Sequence, residues 1–230
     1  GHFSFSFSDG NTDGKTMSAG ANLVVRKRRL TVKLDGEANK QDMAYGPGGG
    51  VVDTSEDTVR GIVEADITSK FLVLAGVEHY RNTSMFVDSR LTYYVGAGAT
   101  LFQNDLHALS VSGGIGYVRE VFDRTGMLHV SPAVASLPTS PTSGGLQFVE
   151  TWHTLRDHKI KVSQAFSYLD YFNNDLGHTT TFNLAISMPV ATHFTIGPSF
   201  RYRYEDNIYV QALRVSVTDK TLAFTVGASF

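Results

Sequence analysis

Apolar residues recur at every second position along most of this chain, and that period limits what it can fold into more than any other feature does. Met17, Ala19, Ala21, Leu23 and Val25 alternate with Ser18, Gly20 and Asn22, and Leu30, Val32 and Leu34 alternate with Thr31, Lys33 and Asp35. Val59, Val63, Ala65 and Ile67 oppose Arg60, Glu64 and Asp66. Leu91, Tyr93, Val95, Ala97 and Ala99 oppose Arg90, Thr92, Tyr94, Gly96 and Gly98. Phe182, Leu184 and Ile186 alternate with Thr181, Asn183 and Ala185, and the chain ends with Leu222, Phe224, Val226, Ala228 and Phe230 on one face. Side chains of a strand point to opposite faces in turn, so each segment presents an apolar face and a polar one. No convincing helical period is found, and the longest apolar run, 71–77, is far short of the roughly 20 residues a membrane helix requires.

Composition decides which medium covers the apolar faces only in combination with this pattern. Hydrophobic residues make up 42% and mean hydropathy is −0.10, values that would suit a soluble protein. They suit a membrane barrel equally, because half of each strand faces a polar lumen. The net charge of −2 gives no basic surface, so nucleic acid is not expected as a partner. The absence of cysteine removes thiol chemistry and cysteine metal sites, and it suits passage through an oxidising compartment. No signal peptide is visible where the sequence opens on an alternating segment, as expected of a mature or trimmed form.

The connections carry the topology. Links at 26–29, 69–70, 103–105, 157–158 and 191–192 are tight. Those at 10–15, 41–56, 81–89, 123–144, 173–178 and 205–217 are longer and rich in Gly, Asn, Asp, Pro or Ser. Short turns on one side and long loops on the other are the habit of up-and-down membrane barrels. The count is about twelve strands, with both termini on the short-turn side. Residues 1–230 are therefore expected to form a single domain: an all-β, closed, antiparallel, up-and-down transmembrane β-barrel in the bacterial outer membrane. Phe71, Phe102, Phe194 and Phe230 fall near the short turns, and Tyr80, Tyr93, Tyr117, Tyr168, Tyr202 and Tyr204 near the long loops. Two such belts fit two membrane–water interfaces, although Phe102 and Tyr80 are out of step with their lipid-facing neighbours. Residues 145–155 leave either Glu150 or His153 outside, and 71–81 fit best with Glu78 turned inward.

The closing segment from Thr221 to Phe230 resembles the assembly signal of bacterial outer-membrane proteins, a Pro-free alternating strand ending in Phe. That resemblance implies recognition by the barrel-assembly machinery, with Phe230 as the anchoring residue, and an environment of outer-membrane lipid and lipopolysaccharide. Gly10-Asn11-Thr12-Asp13, the Gly-x-Gly within Tyr93 to Gly98, and Tyr204-Glu205-Asp206-Asn207 followed by Thr218-Asp219 together resemble the salt-induced outer membrane protein family, a domain of unknown function. The family implies architecture and location, and no activity.

The inward face would carry Lys33, Asp35, Arg60, Glu64, Asp66, Arg201 and Arg203 as pore-lining groups, together with Glu37, Glu78 and Glu120. They would select small polar or anionic solutes, or they would satisfy one another as a plug of ion pairs, with Glu64 and Asp66 bridging to the arginines. No enzymatic chemistry is expected. Glu64 and Asp66 share a face with Arg60, as salt-bridge partners do, and no Gly-x-Ser-x-Gly or His-Glu-x-x-His arrangement accompanies the eight histidines. Gly46-Pro47-Gly48-Gly49-Gly50 lacks the Lys-Ser/Thr of a phosphate loop. No catalytic residue, metal or cofactor is expected. The reading is a narrow passive channel, with a non-conducting structural or envelope-stress barrel as its alternative.

Overall fold

The computed structural model describes residues 2–9, 15–44, 51–156, 160–173, 175–191, 193–213 and 218–229. The alternating segments form twelve strands: β1 (His2–Asp9), β2 (Lys15–Lys27), β3 (Leu30–Ala44), β4 (Val51–Asp66), β5 (Phe71–Asn82), β6 (Val87–Gln103), β7 (His107–Phe122), β8 (Thr142–Arg156), β9 (Ile160–Tyr171), β10 (His178–Ala191), β11 (Phe194–Asp206) and β12 (Thr218–Ser229). Each pairs antiparallel with its chain neighbours, and β1 pairs with β12 to close the ring. Closure removes every sheet edge, the condition under which strands can cross a bilayer. His2 opposite Ser229 puts both ends of the described chain at the short-turn rim.

Hydrophobicity is inverted relative to a water-soluble core. Val59, Val63, Val73, Val95, Ile115, Leu146 and Val226 are exposed on the outer wall, whereas the small buried core is elsewhere. Leu91, Val111, Leu184 and Ile186 share that outer face through the ladder, each rung placing paired residues on one side. The wall is thus an apolar belt fit for hydrocarbon.

Local irregularities account for the residues that alternation leaves out of step. A register shift between Thr100 and Phe102 brings Phe102 opposite Leu109, back onto the outer face. Tyr80 is not a belt residue at all: it points inward and is 4% exposed. Glu78 turns inward, opposite Arg60. The doubtful phase of β8 resolves with Leu146, Phe148, Glu150 and Trp152 outward, because they oppose Ile115, Gly113, Val111 and Leu109.

The long loop after β7 does not stay outside. It forms α1 (Arg124–Val130) and a 3-10 turn (Pro132–Ser136), and the loop after β11 forms α2 (Ile208–Leu213). These helices, of 7 and 6 residues, are too short to impress a helical period on the sequence. Met127, Val134, Leu176, Tyr209 and Leu213 meet Val87, Val118, Phe122 and Tyr171 in one buried cluster at the long-loop end. The Phe122 and Tyr209 rings stack at 4.0 Å. Gly177, with φ of +58°, turns the chain into β10 so close to the Asp206 carbonyl that a Cβ there would collide with it.

Candidate functional site

The lumen is the candidate site, and its charged side chains divide it. Arg203 on β11 donates to Tyr80 Oη on β5 at 2.5 Å, to Glu56 on β4 at 3.1 Å and to its own strand's Glu205 at 2.7 Å. In the ring order β5 and β11 are six strands apart either way round, so the Arg203–Tyr80 bond crosses the full barrel. Arg201 reaches Glu56 at 2.5 Å and approaches Glu37 at 3.9 Å. Arg90 on β6 donates to Glu120 beside it and to Glu205 across the lumen, both at 2.6 Å. The two guanidiniums flank the Tyr80 ring, with Cζ of Arg90 at 5.1 Å and of Arg203 at 4.5 Å from its centroid.

Two unlike compartments lie on either side of this crossbar. At the long-loop ends of β6, β7 and β9 the space is dry. Val118 and Glu120 are 0% exposed, and the folded-in loops fill the long-loop end. Asn207 holds α2 in place, its Oδ1 accepting from Val210 N at 2.8 Å while its amide donates to Glu205 at 3.1 Å. Tyr209 donates to the Pro138 carbonyl at 2.7 Å, and burial, with Glu120 and Asp175 nearby, pushes its phenol above the ordinary range and keeps it a donor.

Toward β2–β4 charged inward side chains remain wet. Lys33 pairs with Glu64 at 2.5 Å, and Arg60 with Glu78 at 2.6 Å, yet the Lys33 side chain is 36% exposed and that of Arg60 43%. Asn22 donates to Asp35. Asp66 pairs with Arg26 at 2.7 Å at the short-turn mouth. On the far wall Asn183 faces inward beside Arg201 and is likewise exposed.

The seven residues expected to line a pore stand on the inward face of the ladder, but they do not form one group. Lys33, Asp35, Arg60, Glu64 and Asp66 line the wet side in local pairs, and Arg201 and Arg203 belong to the crossbar. The arginines are neutralised by Glu56 and Glu205, not by Glu64 and Asp66. Sequence reasoning missed Glu56, Tyr80, Arg90 and Glu205 as members of the site. Glu56 and Glu205 fall at the ends of segments that read as loops by composition, although each keeps the parity of its strand's other lumen residues. Phe230 lies outside the described residues. Among the described residues no group of His, Asp or Glu could hold a metal ion. His107 meets Thr154 at 2.6 Å instead of Ser110, and His158 is outside the described residues.

The chain matches the family described as protein of unknown function, DUF481, over residues 1–230, and it belongs to that family. Comparison with curated proteins finds no match. Among solved structures it is similar to the NanC porin, at 10% identity and a TM-score of 0.61, covering 100% of this chain and 99% of that one. It is similar to an outer membrane channel from Pseudomonas putida F1, at 10% identity and 0.55, covering 100% and 94%. The KdgM porin gives 9% and 0.53, covering 100% and 99%. At such identities the likeness is one of fold: the architecture is that of bacterial outer-membrane porins and channels.

Proposed function

We propose that this protein is a narrow passive channel of the bacterial outer membrane, passing small polar solutes, anionic ones included, along the β2–β4 side of its lumen. The observation that carries this reading is the exposure of Arg60 and Lys33 inside a closed wall. A charged side chain stays accessible there only where water has a path beside it. Paired charges of both signs along that lane would tolerate polar and zwitterionic solutes without strongly favouring one sign. The crossbar sets the width of the lane. Buried Glu120 Oε2 and Arg203 Nε have no hydrogen-bond partner among the described residues. A network left partly unsatisfied is a poor stabiliser, which favours a role for it in shaping the passage.

A second reading rests on the same crossbar together with the dry loop cluster: a plugged barrel with a structural or envelope-stress role, in keeping with the resemblance to the salt-induced outer membrane protein family. Single-channel recording of the purified protein in a planar bilayer separates the two. Discrete conductance steps support the channel, and silence at all voltages supports the plug. Neither reading involves an enzymatic step. Recognition of the closing strand by the barrel-assembly machinery, and lipopolysaccharide around the outer rim, belong to the same proposal.

A further inference from the structure

We infer that the β8–β9 wall is an interface within the membrane between two copies of this chain, centred on Glu150 and Gln164. Glu150 lies on the rung Val111–Glu150–Phe166 and Gln164 on the rung Leu109–Trp152–Gln164, both on the outer face. Glu150 is near mid-strand, six residues from the short-turn end of β8 at Arg156. Other outward charges are placed differently: Asp170 and Asp206 stand at the long-loop rim, and Asp57 faces Arg81 across the β4–β5 ladder. Among the described residues no cation pairs with Glu150. Its carboxylate accepts the Gln164 amide, at 3.2 Å, in the middle of apolar side chains.

In hydrocarbon that pair is incomplete. A carboxylate offers about four acceptor positions and the amide a second N–H, and a lipid tail can serve neither. Charged side chains on the lipid face of a barrel are costly, and an ionisable group at membrane depth marks a functional contact by default. The patch is complementary to itself, since each copy carries the acceptor and the donor side by side. A two-fold axis through it lets Gln164 of each copy donate to Glu150 of the other, as an isologous interface requires. The surroundings suit close approach. Gly113 lies outward on the Phe148 rung and lets two walls come together, and the Phe148 and Phe166 rings, 6.3 Å apart, supply apolar surface.

The chain contains no cysteine, so single substitutions report proximity cleanly. Val111→Cys, next to Glu150, should form a disulfide-linked dimer when outer membranes are oxidised, and Leu23→Cys on β2, five strands from β7 in the ring, should not. Adding Glu150→Leu and Gln164→Leu to Val111→Cys should reduce the dimer several-fold while leaving the barrel heat-modifiable on gels. Native mass spectrometry of the wild-type protein, which needs no substitution, should show twice the chain mass and the Glu150→Leu/Gln164→Leu variant the single mass. A monomeric wild type overturns the inference, as does a Val111→Cys cross-link to a different protein or a dimer indifferent to the two leucines.

Discussion

Removing Arg203 tests whether the crossbar bounds the water path. The Arg203→Ala substitution deletes three donated bonds, to Glu56, Tyr80 and Glu205. Stranding a buried carboxylate by removing its partner typically costs about 3–5 kcal/mol. Here neither carboxylate is stranded, because Glu205 keeps Arg90 at 2.6 Å and Glu56 keeps Arg201 at 2.5 Å. What is lost is nearer to one or two bonds to charged groups, so about 2–3 kcal/mol of stability is expected in a denaturant titration of the detergent-solubilised barrel. The electrical effect is larger in kind. The crossbar holds three guanidiniums (Arg90, Arg201, Arg203) and four carboxylates (Glu37, Glu56, Glu120, Glu205), a formal 3 − 4 = −1 with all groups ionised. Arg203→Ala makes this 2 − 4 = −2, and adding Arg201→Ala makes it 1 − 4 = −3. Single-channel conductance should rise as the side chains are removed, and the reversal potential in a salt gradient should move toward cation selectivity in two steps. Recordings belong near 0.1 M salt, where the Debye length is about 10 Å, since at 1 M it falls to about 3 Å and would hide the change. If the double variant conducts with the same amplitude and reversal potential as wild type, the crossbar does not border the path. If both proteins are silent, the channel falls and the plugged barrel takes its place.

Arg in place of Val95 or Ile186 should cost about 2–4 kcal/mol near the membrane midplane, measured as folding into lipid vesicles, and an unchanged stability would mean the outer wall does not meet lipid. Phe122→Ala removes the ring stacked on Tyr209 and should weaken the inward-folded cluster by about 3–5 kcal/mol. The readout is new protease cleavage within residues 124–136 while the barrel stays intact, and full resistance would show that the loop holds without the stack. Deleting Phe230 should lower the amount of barrel in the outer membrane without lowering synthesis, and normal levels would count against the closing strand as an assembly signal.

How much of this was legible in the sequence follows from the range over which each force acts. Alternation is local: each residue's face is decided by its parity within a strand, and a carbonyl-to-amide ladder propagates that parity to the neighbour. The twelve strands, the closed ring and the outward positions of Val59, Val95 and Ile186 could all be read that way, as could the inward turn of Arg201 and Arg203. Phe102 broke parity because a bulge inserts a residue, and a bulge leaves no compositional trace at this site. The crossbar is beyond the reach of parity. Whether Arg203 meets Tyr80 depends on the stagger accumulated over six strands and on a lumen narrow enough for two side chains to touch across it, and neither quantity is written in any one segment. Tyr80 illustrates the consequence: its even position among odd lipid-facing neighbours reads as a flaw in an aromatic belt, and it is the residue over which two guanidiniums lie inside the lumen. Glu56 and Glu205 carried a usable signal, since each continues the parity of lumen residues on its own strand, Glu56 with Arg60 and Glu64, Glu205 with Arg201 and Arg203. The Gly-, Asn- and Pro-rich composition of the adjoining loops masks it. In a barrel whose strands outrun the bilayer, charges at those ends are where opposite walls can meet, because there the lumen need not stay open for a lipid-matched wall and loops can fold in to exclude water. Out-of-phase aromatics and in-phase charges at the long-loop rim are therefore the places to look first for cross-lumen contacts.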